Sequence, residues 1–188
     1  MTKGRVEGER FCLYDRAAIE HVLDRMTVEA AALLRDAADP LLLGILRRGA
    51  PLAGMMQARL ERQFAMAIPR YALKLKRYAD DLGLLHPDTQ LTENAEFAER
   101  DLARATVLIV DDVLYRGHSL ARAVEYLAQR RAHVVRAVVL ADRCAARLPV
   151  HADIVGIRVQ AAPDDIVECN VPPYEDDLRV ELLRPRRG

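Results

Sequence analysis

The sequence predicts an α/β fold in which a central parallel sheet is flanked by helices. Three observations carry that prediction. Residues 41–45, 107–110 and 134–140 are short, nearly unbroken apolar runs of the kind that fill strands covered on both faces. Helical periodicity falls between and before these runs. With 188 residues and an apolar fraction of 51%, the chain buries one good core without room for a comfortable second. Residues 1–188 are therefore read as one domain, its core spanning about 15–156.

Asp15 can cap a helix running to about residue 35, because Ile19, Val22, Met26, Ala30, Leu33 and Leu34 recur at three- and four-residue steps. Asp39-Pro40 breaks that pattern, and Leu41, Leu42, Leu43, Gly44 and Ile45 form the first sheet strand. Arg47, Arg48 and Gly49 make the next loop. Pro51 suits the first turn of a helix carrying Leu52, Met55, Met56 and Leu60. Residues 65–75 suggest one or two further strands. Residues 82–104 show little periodicity, and so long a stretch in a compact chain reads as a lid. Val107, Leu108, Ile109 and Val110 form a central strand, followed by a helix beginning near Leu120 that carries Val124 and Leu127 and closes near Arg130 and Arg131. Residues 134–140, interrupted only at Arg136, complete a strand–helix–strand crossover. Ile154, Val155 and Gly156 are the last parallel strand, and residues 166–171 and 178–183 pair as short strands around Pro172-Pro173.

Composition narrows the function classes. Lys plus Arg equals Asp plus Glu, 28 each, so no overall basic field gathers nucleic acid. Cys12, Cys144 and Cys169 are widely spaced, odd in number and without a CxxC arrangement, which predicts reduced thiols. The five histidines never fall at metal-ligand spacing, and only His118 has a functional reading, from its loop position. No signal-like start and no apolar run near the roughly 18 residues of a membrane helix is seen, so a soluble cytoplasmic protein without a membrane partner is expected.

The stretch VLIVDDVLYRGHSL, residues 107–120, concentrates the chemistry. Asp111 and Asp112 fall at the carboxyl end of a buried strand, the sheet edge where open α/β folds bind ligands. Tyr115, Arg116, Gly117, His118 and Ser119 then lead into a helix whose first amides can hold a phosphate. A carboxylate pair beside an anion loop suits one kind of ligand, a ribose 5-phosphate. The carboxylates accept charge-assisted hydrogen bonds from vicinal hydroxyls while the loop amides, Ser119 and Arg116 take the phosphate. Gly117 lets the backbone turn and approach closely. The plainer alternative, that the two acids merely end a strand and cap a turn, explains neither Gly117 nor Ser119. A second anion site is offered by Arg47, Arg48 and Gly49, where the plainer alternative is a solvated arginine pair. The spacing of Gly44 and Gly49 mimics part of an ATP-type loop, but Ala50-Pro51 replaces its Lys-Ser/Thr.

An apolar strand, two acids, four residues and a Gly resemble the phosphoribosyl pyrophosphate signature of the type I phosphoribosyltransferases, and within them the pyrimidine-operon regulator and uracil phosphoribosyltransferase group. The likeness extends from about residue 41 to about 156 and includes GILRRGAPLA, residues 44–53, and LADRCAARLPVHADIVG, residues 140–156. It implies a Rossmann-like type I fold with a small hood drawn from residues 1–14 and 157–188. It also implies that Arg47, Arg48 and Gly49 bind pyrophosphate, and that Lys76, Arg77 and Tyr78 belong to a mobile catalytic loop. Purine-specific relatives usually carry Asp where Tyr115 stands, which argues against a hypoxanthine or guanine enzyme. The pyrimidine group would place Thr at Arg116, Arg at His118, Thr at Ser119 and Arg at Ala79.

The reaction so implied transfers ribosyl 5-phosphate from phosphoribosyl pyrophosphate to a nucleobase, uracil favoured, with Asp111, Asp112 and Arg48 as catalytic residues. Tyr115, Asp142, Arg143, Ile157 and Arg158 are the base-site candidates. Mg2+ is the expected cofactor, held mainly by substrate oxygens, with no protein ligand firmly assigned and Asp111 and Asp112 as the candidates. A homo-oligomer, dimer or larger, is implied. The competing reading is a catalytically weak, nucleotide-sensing regulator of the same fold; members of the group bind messenger RNA, which needs a basic face that zero net charge neither supplies nor excludes.

Overall fold

The computed structural model describes residues 7–75, 92–93 and 95–186. Its larger sheet has six strands in the order β4-β3-β2-β5-β6-β7. These are β2 (Asp39–Ile45), β3 (Arg70–Lys74), β4 (Thr92–Glu93), β5 (Ala105–Leu114), β6 (Val134–Asp142) and β7 (Ile154–Arg158). All neighbours are parallel except β4, which runs antiparallel to β3 at the edge. The core is the expected parallel sheet, covered by α1 (Arg16–Leu34) and α2 (Gly49–Phe64) on one side and α4 (His118–Gln129) on the other.

The unbroken apolar runs are explained by that burial. Along β5, Leu108 and Val110 pack with Leu23, Met26 and Met56, whereas Val107 and Ile109 pack with Leu120 and Leu127. Alternate residues of one strand thus enter two separate apolar layers, so both must be hydrophobic. The Asp15 carboxylate accepts the Ala18 N–H at 2.9 Å, fixing the start of α1. At the far end of α2, Ala65 takes a left-handed conformation (φ 54°) and closes the helix before β3.

A second sheet has three strands in the order β1-β9-β8, from β1 (Gly8–Tyr14), β8 (Ile166–Asn170) and β9 (Arg179–Pro185), all antiparallel. The β8–β9 pair matches the sequence reading. Residues 8–14, in contrast, carry no strand signal, because five of the seven are charged or exposed and only one face is covered. Their pairing makes β9 the middle strand.

Three boundaries differ from expectation. Strand β5 continues through Asp111 and Asp112 to Leu114, because β6 keeps pairing with it after β2 has ended at the level of Val110. Helix α4 opens at His118 rather than Leu120, since Gly117 supplies the turn. The lid expected over 82–104 is corrected in part: Thr92–Glu93 pairs with β3, the short helix α3 (Ala95–Ala98) follows, and Phe97 and Leu102 are buried in the layer beneath α4. Residues 82–91, and the loop candidates Lys76, Arg77 and Tyr78, lie outside the described residues. Among the described residues no helix is long and apolar enough to cross a membrane.

Candidate active site

From β2 the chain passes through α2 to β3 on one side; from β5 it passes through α4 to β6 on the other. The gap between the carboxyl ends of β2 and β5 is therefore the topological switch point, where loops diverge and leave a crevice. The loop after β2 carries Arg47, Arg48 and Gly49, and the end of β5 carries Asp111 and Asp112. Sequence alone shows both loops, but only the pairing of β2 with β5 makes them neighbours.

Two glycines allow the close approach. A Cβ on Gly49 would lie 2.3 Å from the Val110 carbonyl oxygen and 3.1 Å from the Asp111 Cα. A Cβ on Gly44 would lie 2.5 Å from the Ala50 Cα. Both contacts are with backbone, so no rotamer change could relieve them. The Leu46–Arg47 peptide within this loop is cis.

The Asp111 carboxylate accepts the Asp112 backbone N–H at 2.9 Å. One Asp112 carboxylate oxygen lies 3.8 Å from the Arg48 guanidinium, near enough for attraction and too far for a hydrogen bond. Beneath the pair, Cys169 of β8 is buried and directs its thiol at the Asp112 carbonyl oxygen, 3.6 Å away. Burial pushes that thiol well above its usual range, and the Asp112 charge adds to the push, Arg48 only partly opposing it.

Gly117 adopts φ 87° at the N-cap of α4, and a Cβ there would lie 2.5 Å from Val150 Cγ2. His118 and Ser119 are the first two residues of the helix, so their amides lack intrahelical acceptors and face the start of the loop. The Arg116 carbonyl accepts the Arg147 N–H at 3.1 Å, which ties the loop to the segment after β6.

Two guanidiniums lie over the Tyr115 ring, Arg143 at 4.7 Å and Arg116 at 5.5 Å from its centre. Arg143 is buried and donates to the carbonyls of Ala162, Pro163 and Asp165, so it builds a wall. Beside it opens a cleft of about 280 Å³ lined by Tyr115, Arg116, Arg143, Ala145, Arg147, Ala161 and Pro163. Of the remaining base-site candidates, the Asp142 carboxylate caps a turn by accepting the Cys144 N–H at 2.8 Å. Ile157 is buried in the apolar layer with Leu140 and Ala141, where it serves the core rather than a cleft surface. Arg158 is exposed at the end of β7, in register with Asp142.

Arg48 has a partner that the sequence reading missed. Glu175, in the turn between β8 and β9, accepts from Arg48 Nε at 3.0 and 3.1 Å and from Nη2 at 2.5 Å. It also accepts the Val171 N–H at 2.9 Å. Burial raises the Glu175 carboxyl, but the hydrogen bonds from Arg48 and Val171, with the charges of Arg48 and Arg47, outweigh it and leave the group below its ordinary value. Next door, exposed Arg47 stacks on the Tyr174 ring at 4.7 Å. The one available signal was the acidic run Glu175, Asp176 and Asp177, whose charge complements Arg47 and Arg48.

Among the described residues no three His, Cys, Asp or Glu groups converge as a metal cage. Two adjacent carboxylates suit a hard cation that takes most of its oxygens from a substrate.

Residues 13–177 match the family described as the phosphoribosyl transferase domain. The chain belongs to that family. This phosphoribosyltransferase is 31% identical to the bifunctional protein PyrR of Nostoc punctiforme over 166 residues, covering 88% of this chain and 92% of the relative. It is 32% identical over 149 residues to the bifunctional protein PyrR of Haemophilus ducreyi, covering 79% and 82%. Among solved structures, a mutant hypoxanthine phosphoribosyltransferase from Trypanosoma cruzi complexed with the product IMP superposes with a TM-score of 0.73 at 20% identity, covering 95% of this chain and 92% of that one. A likeness at that identity speaks for the type I phosphoribosyltransferase fold.

Proposed function

We propose that this phosphoribosyltransferase moves ribosyl 5-phosphate from phosphoribosyl pyrophosphate to a pyrimidine base, uracil foremost, releasing pyrophosphate. The observation that supports it most is the contact of Gly49 with Val110 and Asp111, which sets a cationic loop against the acid pair. In this reading the Asp111 and Asp112 carboxylates accept the ribose hydroxyls and lie beside the ring as positive charge grows there. The amides of His118 and Ser119, the Ser119 hydroxyl and Arg116 hold the 5-phosphate, and Gly117 sets their direction. Arg47, Arg48 and the Gly49 amide receive the pyrophosphate, so leaving-group charge develops against a guanidinium already in place. Tyr115 and the arginine-lined cleft form the side on which the base would lie.

Magnesium, bound through pyrophosphate oxygens with Asp111 or Asp112 as protein ligand, would offset leaving-group charge. We also place the protein in the cytoplasm as a homo-oligomer. The name borne by the PyrR relatives, bifunctional protein, supports asking for a second, regulatory role in nucleotide sensing and RNA binding. RNA affinity that falls steeply with salt would support that role, and no binding at low salt would remove it.

The deciding experiment is magnesium-dependent pyrophosphate release with uracil, xanthine, hypoxanthine, guanine, adenine and orotate, beside Asp112→Asn. Release with uracil and its loss in a folded Asp112→Asn protein is the expected result. Full activity of that variant, or release with a purine alone, would overturn the assignment.

A further inference from the structure

The geometry points to Glu175 as a positioning residue for pyrophosphate transfer, one that holds Arg48 by its inner edge and keeps it off Asp112. This rests on the reading of Arg48 as a pyrophosphate ligand. A guanidinium has two usable edges, and Glu175 occupies one of them: Nε and Nη2 both donate to its carboxylate. Nη1 is left turned toward Asp112, 3.8 Å away. Arg48 thus has a carboxylate on either side, and it is hydrogen-bonded to Glu175 rather than to Asp112.

That asymmetry has a chemical reason. Without Glu175, Asp112 would be the nearest carboxylate for Arg48, and a movement of about 1 Å would convert attraction into a hydrogen-bonded ion pair. Such a pair would consume both groups at once, since Asp112 could no longer accept a ribose hydroxyl and Arg48 could no longer meet pyrophosphate. Glu175 itself is fixed, because the Val171 N–H also donates at 2.9 Å to Oε2, the oxygen that Arg48 Nε reaches at 3.0 Å. Its turn is docked beside it, with Tyr174 under Arg47 and Asp177 accepting from Arg16 Nε at 3.1 Å. Two consecutive residues of the small sheet's turn thus engage two consecutive arginines of the loop after β2.

The test is steady-state kinetics of Glu175→Ala, Glu175→Gln and Arg48→Ala, varying phosphoribosyl pyrophosphate and base separately. Glu175→Ala is expected to raise KM for phosphoribosyl pyrophosphate by about tenfold or more, the scale of losing a hydrogen bond to a charged group, with KM for the base unchanged. Glu175→Gln, which keeps an acceptor oxygen at the same place, should recover part of the loss, and it carries the test if the alanine variant fails to fold. In an Arg48→Ala background, Glu175→Ala should add nothing further. An unchanged or lower KM for phosphoribosyl pyrophosphate in both Glu175 variants would overturn the inference, the lower value showing that Glu175 competes with pyrophosphate. If Arg48→Ala is itself silent, the reading of Arg48 fails instead.

Discussion

Gly49 presses its Cα against the Val110 carbonyl so closely that an added methyl would sit 2.3 Å from the oxygen. Glycine at this position is a condition for placing Arg48 beside Asp112. In Gly49→Ala, the clash is with backbone and the loop has to lift. We expect a loss of about 1–3 kcal/mol in unfolding free energy, typical of overpacking, and a raised KM for phosphoribosyl pyrophosphate. Thermal melts read the first and pyrophosphate release the second. A variant equal to wild type in both would show that the loop need not sit so close.

Gly117 is constrained twice, by its φ of 87° and by Val150 Cγ2, which lies 2.5 Å from the place a methyl group would take. These can be separated. Gly117→Ala should cost about 1–2 kcal/mol or more and weaken 5-phosphate binding. Adding Val150→Ala removes the contact and leaves the left-handed backbone, so it should restore only part of the stability. Full restoration would mean that the dihedral angle contributes nothing.

The three cysteines should react in two classes. Cys12 and Cys144 are exposed, whereas Cys169 is buried beneath Asp112 with its thiol held well above the usual range. Native alkylation followed by mass spectrometry is expected to modify the first two and spare Cys169 until denaturant is added. Rapid native labelling of Cys169 would place it elsewhere.

Acid sensitivity follows from Glu175. Its carboxyl lies below the ordinary value of 4.5 in the folded protein, so the folded state binds the proton less well than the unfolded chain. The stabilisation is therefore complete above about pH 4.5 and is lost as pH falls through the lower folded value. Glu175→Gln should show a shallower fall of Tm with pH below 4.5 than wild type. Identical slopes would mean that the ion pair with Arg48 does not stabilise the fold.

The central strands β2, β5 and β6 are legible in the sequence because they are buried on two faces and read as nearly continuous apolar runs, whereas the two-residue edge strand β4 is too short to show. Strand β1 escapes that signal, since Glu9, Arg10 and the exposed Phe11 belong to an edge strand with one covered face. Phe97 escapes for another reason: a four-residue helix is too short for periodicity, although the ring is fully buried and lies 5.1 Å from that of Tyr71. In the site, Asp111, Asp112 and the Gly117 loop are contiguous and carry a recognisable order. Glu175 stands 127 residues from Arg48, and nothing local announces a partnership made by the small sheet.

Because β9 is the middle strand of the small sheet, that sheet cannot be assembled until residues 179–185 are available to separate β1 from β8. A chain leaving the ribosome therefore carries every strand of the large sheet, and the arginine loop with them, before β9 emerges. Joining Gly8 to Pro185 is a contact between residues far apart in sequence, a slow class of contact. In chain order, then, the residues of the crevice come before the strand that completes the small sheet, from whose β8–β9 turn Glu175 reaches Arg48.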